Sequence, residues 1–123
     1  MRDDRARLLD VREAIERMEK HTAAGREAFD RDELVQTWVI RHLEIIGEAV
    51  RGLSQELCDV HPEVPWAEIV ALRNILAHHY FGIDLDAAWR VVERDLPELK
   101  RNVDAILAAL PAAGDPPPAA RKP

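Results

Sequence analysis

The sequence predicts an all-α fold, an antiparallel up-and-down bundle, and three observations predict it. Apolar residues recur with the 3.6-residue period of amphipathic helices along most of the chain. Only 5 glycines occur in 123 residues, and the β-branched and aromatic residues are scattered among Leu, Ala, Glu and Arg, which favours helix over sheet. The breaks between periodic stretches are short and carry capping or turn residues, as the connections of an antiparallel helical bundle do.

A first helix is predicted from about Asp3 to His21, with Leu8, Leu9, Val11, Ile15 and Met18 as its apolar stripe, and Thr22 to Gly25 breaks it. A second begins near Asp30 or Asp32, either of which can cap it. It runs to about Val60, with a bend or interruption after Leu53, where Ser54 offers a new cap. Its broad apolar band comprises Leu34, Val35, Trp38, Val39, Ile45, Ile46, Ala49, Val50 and Leu53, and His42 falls inside that band as a hydrogen-bonded core residue. His61, Pro62 and Pro65 mark a turn, because proline disfavours helix in the residue before it and fits the first turn after it. The third helix extends from Pro65 to His79, with Gly82 beyond it suited to a left-handed C-cap. The fourth starts at Asp84 or Asp86 and reaches about Leu110, with Pro97 starting a new segment or kinking it. Residues 1–110 thus read as one helical domain. The Pro/Ala-rich tail, 111–123, has too little large apolar content to pack and is expected to be disordered.

Composition narrows the function. Hydrophobic residues make up 47% and charged ones 33%, the balance of an ordinary globular chain. A single cysteine, Cys58, allows neither an internal disulfide nor a sulfur-rich zinc site. No apolar run approaches the roughly 18 residues that span a bilayer, and the first residues are strongly charged, so the expected location is the reducing cytoplasm. The net charge of −6 argues against a surface that coats long stretches of nucleic acid. Action on RNA would need a local basic pocket or one assembled between subunits. No His-x-x-x-His pair, phosphate loop or nucleophile elbow is present, which sets metal and NTPase chemistry aside.

The third helix carries the chemistry-bearing residues. On a helical wheel, Trp66, Ile69, Val70, Leu76 and Ala77 share a face, and Arg73 falls in its middle. A buried guanidinium cannot shed its proton, so Arg73 must meet a carboxylate or face a cleft or subunit interface. A structural Arg–carboxylate pair and a functional site both satisfy that requirement. Tyr80 returns to within about 20° of Arg73, whereas His78 lies about 140° away, so His78 and Arg73 converge only at the helix end or across a dimer. On the second helix Arg41 and Glu48 sit together along one edge of the apolar band, with Glu48 a candidate partner for Arg41 or Arg73. Gly47 lies beyond that edge, where its missing side chain lets another element approach.

The segment RNILAHHY, Arg73 to Tyr80, reads as R-x4-H-x-Y and resembles the signature of the HepT-like (DUF86) branch of the HEPN superfamily. VIRHLEIIGEAVRGLS (Val39 to Ser54), HPEVPWAEIVALRNILAHHYFGID (His61 to Asp84) and the stretch from Trp89 to Lys100 are similar to that family as well. The resemblance implies a four-helix HEPN bundle that dimerises with two motifs facing each other. It also implies an RNA-cleaving toxin that needs no metal and no cofactor, with Arg73 and His78 catalytic; from residue chemistry and position, Asn74, Arg41 and Glu48 are candidates for supporting that site. It further implies a nucleotidyltransferase antitoxin that transfers AMP to the motif tyrosine, here Tyr80. Two other readings stay open: a non-catalytic HEPN subunit that binds a nucleotide or partner, and a purely structural helical dimer.

Overall fold

The computed structural model describes residues 3–76 and 84–110, with 73–76 described by backbone alone. The regular structure among them is helical throughout. Helix α1 (Asp4–Thr22) starts where the Asp3 side chain accepts the Ala6 N–H at 2.8 Å. A short α2 (Arg26–Arg31) follows Gly25, whose φ of 98° suits glycine. Asp32, rather than Asp30, caps α3 (Glu33–Arg51), its Oδ1 accepting from the N–H groups of Leu34 and Val35 at 3.0 and 3.2 Å. Ser54 then caps α4 (Gln55–Val60), so the predicted second helix is interrupted after Arg51. Helix α5 (Trp66–Leu76) begins after the Pro62–Pro65 turn, the Ile69 N–H donating to the Pro65 carbonyl at 3.0 Å.

Asp84 caps α6 (Leu85–Arg90), which continues through a π-helical turn (Val91–Asp95) into α7 (Leu96–Ala109). The Leu96 N–H reaches back five residues to the Val91 carbonyl. Pro97 comes immediately afterwards, lacking an N–H and carrying a ring that crowds the preceding turn. The wider π turn is where the hydrogen-bond ladder adapts to it. The expected helix end at His79, the C-cap at Gly82 and the tail from Pro111 lie outside the described residues.

The short α2 was not expected, because six residues are too few to display a period or to form a helix alone. It is held by tertiary contacts. Phe29 is buried with its ring 5.4 Å from that of Trp89, and Arg26 bonds to Asp86.

Helix α1 lies antiparallel to both α3 and α7. At one end of the α1/α3 pair the Ser54 N–H and hydroxyl donate to Asp4 at 2.8 and 2.6 Å; towards the other, Trp38 donates to the Arg17 carbonyl at 3.3 Å. Along α1/α7, Arg5 meets the Leu107 carbonyl, Arg12 meets Asp104 and Lys100 meets Glu19. The seam between them is filled by Leu8, Val11, Ile15 and Met18 of α1, by Val39, Leu43, Ile46 and Val50 of α3, and by Leu96, Leu99, Val103 and Ile106 of α7, all buried. Each set repeats at three- and four-residue steps, the spacing that keeps one helical face inward. Two residues assigned to apolar faces depart from them: Leu34 is 83% exposed and Leu9 36%. A wheel identifies a face but not how far a neighbour covers it, and Leu34 sits in the uncovered first turn of α3.

Ser54→Ala removes both the cap of α4 and a hydroxyl donated to the Asp4 carboxylate. It is expected to lower stability by about 1–2 kcal/mol, read as a reduced midpoint in urea. An unchanged midpoint would show that the α1–α4 link carries no stability.

Candidate functional site

The backbone of Arg73 and Asn74 lies in the last turns of α5. Their side chains, and all of His78 and Tyr80, lie outside the described residues. The described structure therefore defines the surroundings of the α5 backbone at Arg73 and Asn74.

Helix α5 is seated on α3 through Gly47, which is buried. A Cβ built there would stand 3.4 Å from the Val70 carbonyl oxygen and 3.9 Å from its Cα. This is the close approach that the glycine was expected to permit. Arg73 follows Val70 by three residues, about 4.5 Å along the helix. Beside this contact a polar groove of about 530 Å³ opens between α1, α3 and α5, with Arg7, Asp10, Arg41, Glu44, Gly47, Glu48, Arg51 and Val70 among its lining residues.

Arg41 and Glu48 both line that groove, but they are not each other's partners. Arg41 pairs with Glu44 at 3.5 Å and Glu48 with Arg51 at 3.1 Å. Seven residues span two turns, about 10.5 Å of rise, whereas three residues bring side chains alongside each other. The Glu48–Arg51 pair is largely exposed and Arg41–Glu44 partly so, and such pairs are weak.

Among the groove residues that the sequence reading did not single out, Arg7 is set apart by its surroundings. The Arg7 guanidinium occupies the space over Gly52, where a Cβ would overlap it. Its Nε is buried without a hydrogen-bond partner. The available signal was faint: Arg7 shares with Ala14 and Met18 one margin of the α1 apolar stripe, an unusual place for an arginine.

His42 is 3% exposed and its Nδ1–H donates to the Trp38 carbonyl at 2.8 Å. The Trp38 ring lies between His42 and His21, with centroid separations of 4.3 and 5.0 Å. His42 is thus a hydrogen-bonded core residue, as its place in the apolar band suggested. The Cys58 thiol is pushed up from its ordinary range by burial first, then by Asp4 and Asp59. It stays protonated at neutral pH and is a poor nucleophile. Among the described residues no group of three or more His, Cys, Asp or Glu is arranged to hold a metal ion, and no helix is long and apolar enough to cross a membrane.

A second, smaller cavity of about 110 Å³ lies where α5 meets the π turn and α7, lined by Val64, Ile69, Leu72, Leu96 and Leu99 and bordered by Glu68, Asp95 and Glu98. The Asp95 carboxyl is held above the usual aspartate range, first by partial desolvation, then by Glu98 and Glu68, with Arg94 and Arg90 opposing.

Residues 11–106 match the family model described as "Ribonuclease HepT-like". The chain is 40% identical over 106 residues to a provisionally named RNase of Methanocaldococcus jannaschii, covering 85% of this chain and 97% of that protein. It is 42% identical over 100 residues to the "Probable ribonuclease HepT" of Thermococcus cleftensis, covering 80% of this chain and 91% of that one. A third relative, from M. jannaschii, is named as a gamma-glutamylcyclotransferase and, provisionally, an RNase. It is 37% identical over 110 residues, 89% of this chain but only 50% of that protein. No solved structure matches the chain.

A raised folded-state pKa means that the folded chain binds more protons than the unfolded one between the two pKa values, so stability falls as pH rises through that interval. At neutral pH the Asp95 penalty is fully present; below the ordinary aspartate range it is gone. Asp95→Asn is therefore expected to raise the thermal midpoint at neutral pH by about 1–3 °C, a modest gain because the side chain is largely exposed. The gain should disappear when the melt is repeated in strong acid. A lowered neutral midpoint would contradict this account.

Proposed function

Because the chain belongs to the ribonuclease HepT-like family, we propose that it is a HEPN ribonuclease toxin that cuts RNA without a metal ion at Arg73, His78 and Tyr80. The observation that carries this reading is the family match over residues 11–106, which includes the complete R-x4-H-x-Y motif of Arg73 to Tyr80. In this reading four helical segments (α1, α3, α5 and the α6–α7 stretch) form the HEPN bundle. Two chains then dimerise with their motifs facing each other. The dimer doubles the local arginine and histidine, which reconciles RNA cleavage with a net charge of −6.

The chemistry follows from the residue types. RNA supplies its own nucleophile, the 2′-hydroxyl. His78 takes that proton as the oxygen attacks the adjacent phosphorus, and His78 of the partner subunit protonates the departing 5′-oxygen. The P–O5′ bond breaks, leaving a 2′,3′-cyclic phosphate and a free 5′-hydroxyl. Arg73 holds the scissile phosphate with two N–H groups and stabilises the charge that grows on its oxygens. Asn74 orients the phosphate, and Arg41 and Glu48 support the site from α3.

Neutralisation runs through Tyr80. A cognate nucleotidyltransferase antitoxin brings ATP; the Tyr80 oxygen bonds to its α-phosphorus, pyrophosphate leaves and the phenolic proton passes to solvent. The attached AMP brings bulk and a phosphate that Arg73 attracts, and the site closes.

The test is cleavage of total RNA in EDTA, using protein shown by mass spectrometry to carry no AMP. Arg73→Ala and His78→Ala are each expected to lose at least about 100-fold in rate while keeping their fold and oligomeric state. Tyr80→Phe is expected to cleave but to resist neutralisation by the antitoxin with ATP. Equal activity in every variant would identify a contaminant. No activity in unmodified protein would replace the enzyme with a nucleotide- or partner-binding subunit.

A further inference from the structure

Among the described residues, three arginines line the groove between α1, α3 and α5, and two of them have carboxylate partners. Arg41 and Arg51 have the carboxylate partners Glu44 and Glu48. The Arg7 side chain has no hydrogen bond or ion pair among the described residues, and its Nε is buried without an acceptor. A guanidinium cannot relieve that situation by losing its proton, and a buried unpaired donor is costly. The local sequence nevertheless makes room for it: Gly52 is the position where any Cβ would overlap the Arg7 head. An arginine seated in a space left by a glycine, facing a groove of about 530 Å³, has the features of half an ion pair whose anion comes from elsewhere.

We propose that Arg7 and Arg51 form a subsite for a non-scissile phosphodiester of the RNA substrate, with Arg41 contacting a second phosphate further along α3. Arg41 and Arg51 are ten residues apart, about 15 Å along the helix, so they meet different phosphates. This assignment rests on the ribonuclease reading and extends it from the motif to the path of the bound strand. Asp10, Glu44 and Glu48 line the same groove, and they define what it accepts. With three carboxylates beside three arginines the described lining has no net positive charge to attract a densely charged duplex, but the Arg7 guanidinium can meet a single phosphate on a flexible strand. The exposed Arg51–Glu48 pair is weak enough to open when that strand arrives. Gly47 places the same groove against α5, the helix that carries Arg73.

The experiment is a salt titration of binding to a short 2′-O-methyl oligoribonucleotide, which has no attacking hydroxyl, followed by fluorescence anisotropy on the full chain. Arg7→Gln and Arg51→Gln are each expected to weaken binding about ten-fold at low salt and to reduce the slope of log K against log salt by about 0.7, one single-strand phosphate contact. Arg7→Lys should keep the slope. Arg12→Gln, whose side chain meets Asp104 on the α7 side of α1, should change neither quantity. Arg51 is largely exposed, so its variant keeps the test decisive if Arg7→Gln fails to fold. Wild-type binding with unchanged slopes in the Arg7 and Arg51 variants would overturn the subsite and leave the ribonuclease reading standing. Binding that depends on Arg7 in a protein that never cleaves RNA would do the reverse. A loss in Arg12→Gln as large as in Arg7→Gln would also overturn it, reducing the effect to general charge. So would loss of AMP binding in Arg7→Gln with RNA binding intact, which would make the site one for a mononucleotide.

Discussion

Burial of the α3 apolar band against α1 and α5 is the contact on which the rest of the structure depends. Val39, Leu43, Ile46 and Val50 are all buried, and each side chain of that size contributes roughly 1.5–3 kcal/mol when removed from water. Satisfying those residues brings α1 alongside in the antiparallel sense and seats α5 on the opposite margin. The α5 contact is close. A Cβ at Gly47 would already stand at van der Waals distance from the Val70 backbone, so a side chain larger than a methyl there would press on the helix bearing Arg73.

Charge is arranged around this core without entering it. Lys100 bridges to Glu16 and Glu19, and Arg12 meets Asp104. All of these groups retain exposure, and each pair adds little stability. Their effect is on register: opposite charges meet across α1 and α7 only in the observed antiparallel alignment. The groove between α1, α3 and α5 differs in kind. There the buried Nε of Arg7 has no acceptor among the described residues. For an acidic chain in a ribonuclease family, a small site of this type is a more plausible route to a polyanion than a basic surface would be, because it concentrates attraction where the strand must lie.

Much of the fold was legible because its determinants are local. Capping pairs a side chain with N–H groups two or three residues ahead, so Ser54 could be recognised from the residues around it, and the other two caps were narrowed to Asp30 or Asp32 and to Asp84 or Asp86, of which the structure uses Asp32 and Asp84. The break at Pro97 follows from its own missing N–H, and the structure answers with a π turn. His42 stood out because it interrupts an apolar band, and Gly47 because it lies just beyond the edge of that band. Helix α2 did not stand out, since its six residues have no period and are held by Trp89 and Asp86, about sixty residues away. The Arg41–Glu48 pairing was proposed from a shared helical edge and failed on distance along the axis.

By itself the sequence determined the helical class, most helix starts and the family, since periodicity, capping and the R-x4-H-x-Y motif are all written within a few residues of one another. The tertiary structure alone decided which arginine, among the described residues, has its Nε buried without an acceptor and which glycine makes room for it. Arg7 and Gly52 are 45 positions apart, and nothing in either neighbourhood mentions the other. Their meeting is a consequence of how α1 docks on α3, a property of packed surfaces that a linear pattern does not carry.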